Sequence, residues 1–349
     1  MAWFGRRRGS DEPTLEQLRR WHLLLLPTTV DVGQVDRLIR NRYPDARIAD
    51  TRRARLGRHA AISGPHELED DELRAVQVPA GWRTAYALEV EAEPDPDAFE
   101  DIGDPVLRAW WMRAFPRGKP FRDEGDAVDL ALALARRLGG AVRAAGSGVL
   151  LEPDHDRLLD LTVWSGYWLG PDRLLELLGP VLPGAEVNLA VHGRHEAPHH
   201  DTPWSVDPLD PLGADLEHAL GEPDHEIIDE VARQHDARAL AGGVVLDGYA
   251  LTAHGSLVVE VIQEDAVPIW VRERVSGQLL DATNPVVTYA VRWVTHDPHV
   301  LESEDPPYAV RLERERLRPQ MRAAALSIAE ASAGVVSDSA GFEVDRYSL

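Results

Sequence analysis

The chain has no cysteine. That excludes disulfides, thiolate metal sites and cysteine nucleophiles, and it fits a reducing compartment, with the cytoplasm as the expected location. Long apolar runs are missing too: Leu23 to Leu26 spans four residues and stops at Pro27. A secretory signal has a longer apolar core and a membrane-spanning helix needs about 20 apolar residues, so no integral membrane association is expected. Phosphate-cradling patterns are also absent. Gly139-Gly140, Gly146-Ser147-Gly148 and Gly242-Gly243 do not fall into G-x-G-x-x-G or G-x-x-x-x-G-K-[ST]. Trp164-Ser165-Gly166-Tyr167-Trp168 lacks the leading glycine of a nucleophile elbow. These read as turn glycines and a structural serine.

Basic charge is scarce: 37 Lys and Arg stand against 59 Asp and Glu, a formal net charge of -22. The average surface therefore repels phosphate backbones and anionic lipid heads. Neither Arg136-Arg137 nor Arg52-Arg53 with Arg55 is joined by a recognition-helix or RNA-platform motif, and no nucleic-acid partner is expected. Arg6, Arg7 and Arg8 after Trp3 and Phe4 read as the basic end of a flexible tail over 1–13.

At 349 residues the chain is long enough for two or three domains and a sizeable core. Asp31 is placed to cap a helix with apolar positions Val32, Val35, Leu38 and Ile39, ended by Tyr43-Pro44. With a strand at Trp21 to Leu26 before it and another around Ala46 to Ala49, this makes a β-α-β unit. Gly64-Pro65 marks a turn, Leu73 to Val78 a short strand, and Thr84 to Glu93 a half-exposed strand. Asp126 opens an apolar helix over Ala127 to Leu138, stopped by Gly139-Gly140 and followed by a strand at Val149 to Leu151.

The second half repeats this order: a strand over Leu158 to Ser165, a helix over Asp172 to Leu178 after Pro171, and a strand over Ala185 to His192. A Pro/Asp/His-rich insertion near 194–224 contains a small helix near Ala214 to Leu220, and Asp224 to His235 is a further helix. Leu240 to Ala253 and Ser256 to Gln263 form a hairpin around His254-Gly255; Ile269 to Val275 and Val286 to Val294 are strands. Met321 to Ala331 is the last long helix, before a strand starting at Gly334-Val335-Val336. Tyr86-Ala87-Leu88 and Tyr289-Ala290-Val291 hold similar places in the two halves. The fold expected is α+β, with duplicated ferredoxin-like (β-α-β-β-α-β) halves, antiparallel or mixed sheets, and domains at 14–153 and 155–349.

The densest chemical cluster is His192, His195, Glu196, His199 and His200, with Asp201. Imidazoles and carboxylates this close are competent zinc ligands, but their spacing matches no specific zinc pattern, and an exposed loop is the favoured reading. His225-Glu226-Ile227-Ile228-Asp229 resembles the zinc-protease H-E-x-x-H pattern with aspartate at the last position, which removes its specificity. Ten tryptophans against five phenylalanines and seven tyrosines supply large apolar area. Trp110 and Trp111, with Tyr86, are the candidate interface residues. The expected function is a non-enzymatic binding or interaction role without a cofactor, with a protein partner or a homodimer. The alternative is a metal-dependent hydrolase holding zinc or another divalent ion in the 192–201 cluster, with Glu196 or Glu226 as base.

Overall fold

The computed structural model describes residues 13–155, 160–188, 244–252, 255–264, 267–278, 286–295, 303–304 and 306–345, with 244–252 described by backbone alone. These residues form two compact units: the first runs to 155 and takes in 303–304 and 306–307, and the second holds the rest. The architecture is mixed α+β, with antiparallel sheets and packed helices.

In the first unit, Thr14 and Gln17 close a reciprocal capping box on α1 (Leu15–Arg20). The next strand, β1 (His22–Leu26), is buried at all five positions, the pattern of a strand covered on both faces. Asp31 accepts the Gly33 N–H and caps α2 (Val32–Arg42). Then come α3 (Ile48–Thr51), β2 (Arg53–Arg55), β3 (Ala61–Glu67), α4 (Asp70–Val76), β4 (Thr84–Glu89) and the two-residue β5 (Pro94–Asp95). The unit continues with α5 (Pro105–Ala114), β6 (Lys119–Pro120), α6 (Arg122–Leu138), β7 (Ala141–Arg143) and β8 (Leu150–Leu151). The main sheet runs β2-β3-β4-β1-β7-β8, every neighbouring pair antiparallel. A separate clip pairs β5 with β6.

Side-chain alternation along β1 decides which helices cover which face. Leu23 and Leu25 join Leu18, Leu73, Val76, Ala85 and Ala87 in one apolar cluster, so α1 and α4 lie on that side. His22, of the opposite parity, meets Glu124 of α6, which covers the other face. Burial of each leucine contributes about 1.5–3 kcal/mol, which makes β1 the spine of the unit. Gly139, in the left-handed conformation, ends α6.

Two cations, Arg143 buried and Arg136 half-buried, brace this unit. The Arg143 guanidinium donates from Nε to the Val76 carbonyl at 2.6 Å and reaches the Arg19 and Trp21 carbonyls at 3.5 Å, at the C-terminal ends of α4 and α1. Those ends carry the negative pole of the helix dipoles. Burial lowers the Arg143 pKa, with the neighbouring Arg19 charge adding to it. Arg136, in the last turn of α6, pairs with Glu304 at 2.6 Å, and Glu304 also accepts the Asp154 N–H at 2.8 Å.

The second unit opens with β9 (Leu161–Ser165) and α7 (Pro171–Leu178), Pro171 filling the first helical turn. After β10 (Glu186–Asn188), β11 (Val244–Thr252) and β12 (Gly255–Glu264) form the antiparallel hairpin expected around 254–255. Next are α8 (Ile269–Val275), β13 (Val286–Thr295), α9 (Tyr308–Ala331), β14 (Val335–Asp338) and β15 (Glu343–Val344). The sheet order is β10-β11-β12-β13-β9-β14-β15. In its core, Asp160 accepts the Trp293 N–H at 3.2 Å. Burial pushes the Asp160 carboxyl up, opposed by that bond and by Arg292 and Arg314.

Several sequence expectations are corrected. Leu73 to Val78 is the end of α4 and its C-cap: Glu69 and Glu72 close a capping box, and Asp70, Asp71 and Glu72 fill the positive first turn. Ile269 to Val275 is a helix burying Trp270, Val271 and Val275. The stretch 46–49 runs into α3, so the strand expected there is absent and the next strands are β2 and then β3. Gly64-Pro65 lies inside β3, where the register shifts between Ser63 and His66 and leaves the proline outside the ladder. The Thr84 strand stops at Glu89 and is buried along nearly its whole length, because helices cover both faces of the sheet. The central helix starts at Arg122 and the last one at Tyr308, running through Pro319. The helices expected at 214–220 and 224–235 lie outside the described residues.

Glu304→Ala is expected to lower the unfolding free energy by about 2 kcal/mol, because it removes the carboxylate that binds both Arg136 and the Asp154 N–H. The double variant Arg136→Met with Glu304→Leu is expected to recover most of that loss. Urea unfolding checks both, and a loss that the double variant leaves in full would contradict the pairing as its cause.

Candidate functional site

His192, His195, Glu196, His199 and His200, with Asp201 and the His225–Asp229 motif, lie outside the described residues. Among the described residues no group of three or more His, Asp or Glu is placed to hold a metal ion. No described helix is long and apolar enough to cross a membrane.

Two polar constellations have the residue types of catalysis but use their groups internally. His22 Nδ1 accepts the Ala145 N–H at 2.9 Å, so that nitrogen carries no proton. Nε2 therefore donates to Glu124 Oε1 at 3.0 Å, and Glu124 Oε2 accepts the Glu93 N–H at 2.6 Å. Both side chains are buried and their polar atoms are engaged. The arrangement is a structural bracket with no face for a substrate. Ser165, fully buried, donates to the Ser332 carbonyl at 2.7 Å and accepts the Tyr167 N–H at 2.9 Å. That is the structural serine read in the Trp164–Trp168 stretch. A third pair, Ser63 and His66, stands 3.4 Å apart across the β3 irregularity, too long for strong activation of the hydroxyl.

The aromatic candidates separate by depth. Tyr86 lies inside the sheet on β4, 1 % exposed. Trp111 is buried against Phe115, with ring centroids 5.6 Å apart, and Phe115 packs 5.7 Å from His22. Trp110 is half-buried and meets Trp111 edge to face at 5.3 Å. A line of rings thus runs from the α5 surface to the buried His22–Glu124 bracket. Of the three candidates, Trp110 alone is not buried.

Sequence reasoning missed the exposed apolar residues of the same stretch. Val106 is 60 % exposed, and Met112 and Phe121 are each 49 % exposed. The α5 helix presenting this face is pinned at both ends. Asp104 accepts the Val106 N–H at 2.9 Å, and Ser147 donates to the Ala114 carbonyl at 2.6 Å. Lys119 lies 5.5 Å over Trp111, and Arg122 lies 5.4 Å over Phe121. The missed signal is a charge reversal in sequence. Residues 89–104 carry eight acids and no base, whereas 105–122 carry five bases and no acid.

The clip joins these two blocks. Asp95 pairs with Lys119 and Pro94 with Pro120 in register, and the Phe121 N–H donates to the Glu93 carbonyl at 3.0 Å. Gly118 has φ +144°, and a Cβ there would sit 2.7 Å from the Asp95 and Pro96 backbone. Glycine is what lets the basic strand approach the acidic one. The chemistry available is recognition: an exposed apolar and cationic surface on a fixed helix, flanked by carboxylates.

Burial, reinforced by Asp31 and Glu67 and opposed by Arg52, pushes the Tyr86 phenol up to about 12. The fold therefore holds the neutral phenol, while the unfolded chain ionises it near pH 10, so stability falls as pH rises from about 10 to about 12. The gap corresponds to about 3 kcal/mol. Tyr86→Phe is expected to flatten that alkaline fall in urea unfolding followed across pH, and an equally steep fall in the variant would sink the assignment.

No protein-family model, no curated protein and no solved structure matches the chain.

Proposed function

We propose that the protein is a non-enzymatic binding protein that engages a protein partner through the α5 face of its first unit. The observation that carries this reading is that Val106 and Met112 on α5, and Phe121 directly after β6, are exposed, with Trp110 half-buried one turn after Val106. Scattered single apolar residues are ordinary on a surface, but here they share one short helix and the strand end beside it. Tryptophan and arginine are the side chains most often found at the energetic centres of interfaces. Arg113 on α5 and Arg117 just after it are both exposed. The helix is already fixed by Asp104 and Ser147, so binding incurs little ordering entropy there.

The same reading makes the two units duplicated ferredoxin-like plaits. What supports it is a shared order, β3-β4-β1-β7 in one sheet and β12-β13-β9-β14 in the other. In each, one helix precedes the inner hairpin and another follows it: α2 and α6 in the first unit, α7 and α9 in the second. The reading takes the cytoplasm as the location, which a chain without cysteine fits.

Trp110→Glu, with the fold checked by circular dichroism, is expected to weaken partner binding about 30-fold or more, the scale of losing one energetic centre. Affinity capture from an extract of the source cells with the full chain, followed by titration of the captured protein, measures it. Equal capture and affinity for wild type and variant would remove the α5 face from the reading.

A further inference from the structure

The α5 face and its acidic flank lie side by side on one unit, and their charges are unspent. Glu91, Glu93, Asp97, Glu100 and Asp101 are exposed on the stretch leading through β5 to α5. Arg113, Arg117 and Arg122 are exposed on the other side of the clip, with half-buried Lys119 beside them. None of these nine side chains forms an ion pair with another described residue. Registering Asp95 opposite Lys119 fixes the acidic edge beside the basic, aromatic edge without letting them neutralise each other.

Such a surface is self-complementary. In a two-fold contact, patch i of one protomer meets patch j of the other while j meets i, so a basic edge beside an acidic edge satisfies both pairings at once. We propose, resting on the reading of α5 as a binding face, that its occupant is a second copy of this chain. The basic, aromatic edge of each protomer (Trp110, Met112, Arg113, Arg117) docks on the acidic edge (Glu91, Glu93, Glu100, Asp101) of its partner. In that contact Val106 and Trp110, one turn apart on α5, are covered together with Phe121, and the charged edges border them, as in interfaces with a desolvated core and a polar rim. A polyanion is disfavoured as occupant, because the five exposed carboxylates of the acidic edge border the patch in a chain of net charge -22.

The test uses the full chain in analytical ultracentrifugation with two charge reversals, Arg113→Glu with Arg117→Glu, and Glu100→Lys with Asp101→Lys. Each places like charges against each other twice in the homodimer and is expected to raise its dissociation constant about a hundredfold or more. An equimolar mixture of the two variants is expected to restore the dimer, since in that pairing both contacts again join opposite charges. Wild-type dimerisation is expected to weaken with salt and with Trp110→Glu. A dimer indifferent to both reversals overturns the proposal, as does a mixture that stays monomeric while wild type dimerises. A monomeric wild type that captures a different protein through Trp110 overturns the second copy and leaves the α5 face standing. A monomer that binds a single-stranded oligonucleotide, and loses it on reversal of Arg113 and Arg117, overturns the proposal in favour of a polyanion.

Discussion

The first unit depends on one buried contact, the hydrogen bond from His22 to Glu124. It joins the central strand to the first turn of α6, and its remaining atoms bind the Ala145 N–H beyond β7 and the Glu93 N–H before the clip. Four segments far apart in sequence are therefore held by two side chains. Leaving either partner unsatisfied at this depth costs the full desolvation of the other, so the bracket acts as a register pin as well as a bond. The same pair looks, by residue type, like the start of a general base. What decides otherwise is that the second nitrogen and the second carboxylate oxygen both bind backbone.

The candidate face is supported from that bracket outward. Phe115 packs on His22, Trp111 on Phe115 and Trp110 on Trp111, while Ser147 ties the end of α5 to the turn after β7. A ring packed edge to face on a fixed ring has fewer rotamers open to it, which lowers the entropy that Trp110 loses on binding. This distinguishes the α5 surface from isolated exposed residues such as Tyr308, which stands 73 % exposed on the last helix. Rigidity here comes from the core, and the core residue responsible lies on a strand some ninety residues earlier in the chain.

Much of the element pattern was legible where a single residue has a single physical use. Asp31 as a cap, Gly139 as a left-handed stop, Pro171 in a first turn and the hairpin at 254–255 are such cases. Where short apolar runs were read by composition, the outcome turned on neighbours: Leu73 to Val78 contains a strand's worth of leucine and valine, yet the Glu69–Glu72 box decides for helix. Burial was harder still. Thr84 to Glu89 alternates like a half-exposed strand, and only the helices on both sides of the sheet make it core. Tyr86 followed the same course, from a surface candidate by type to an interior residue by topology.

The charge pattern shows why a net value misleads about partners. A total of -22 describes the far field, which governs repulsion of phosphate backbones out to about a Debye length. Contact is decided within a few ångströms, where 105–122 is wholly basic and 89–104 wholly acidic. Their juxtaposition needs the close backbone approach at Gly118, a feature of geometry that no sum of charges contains. A surface built this way holds two opposite potentials at fixed separation. The occupant that matches both at once must carry the same separation, and a second copy of the chain carries it by construction.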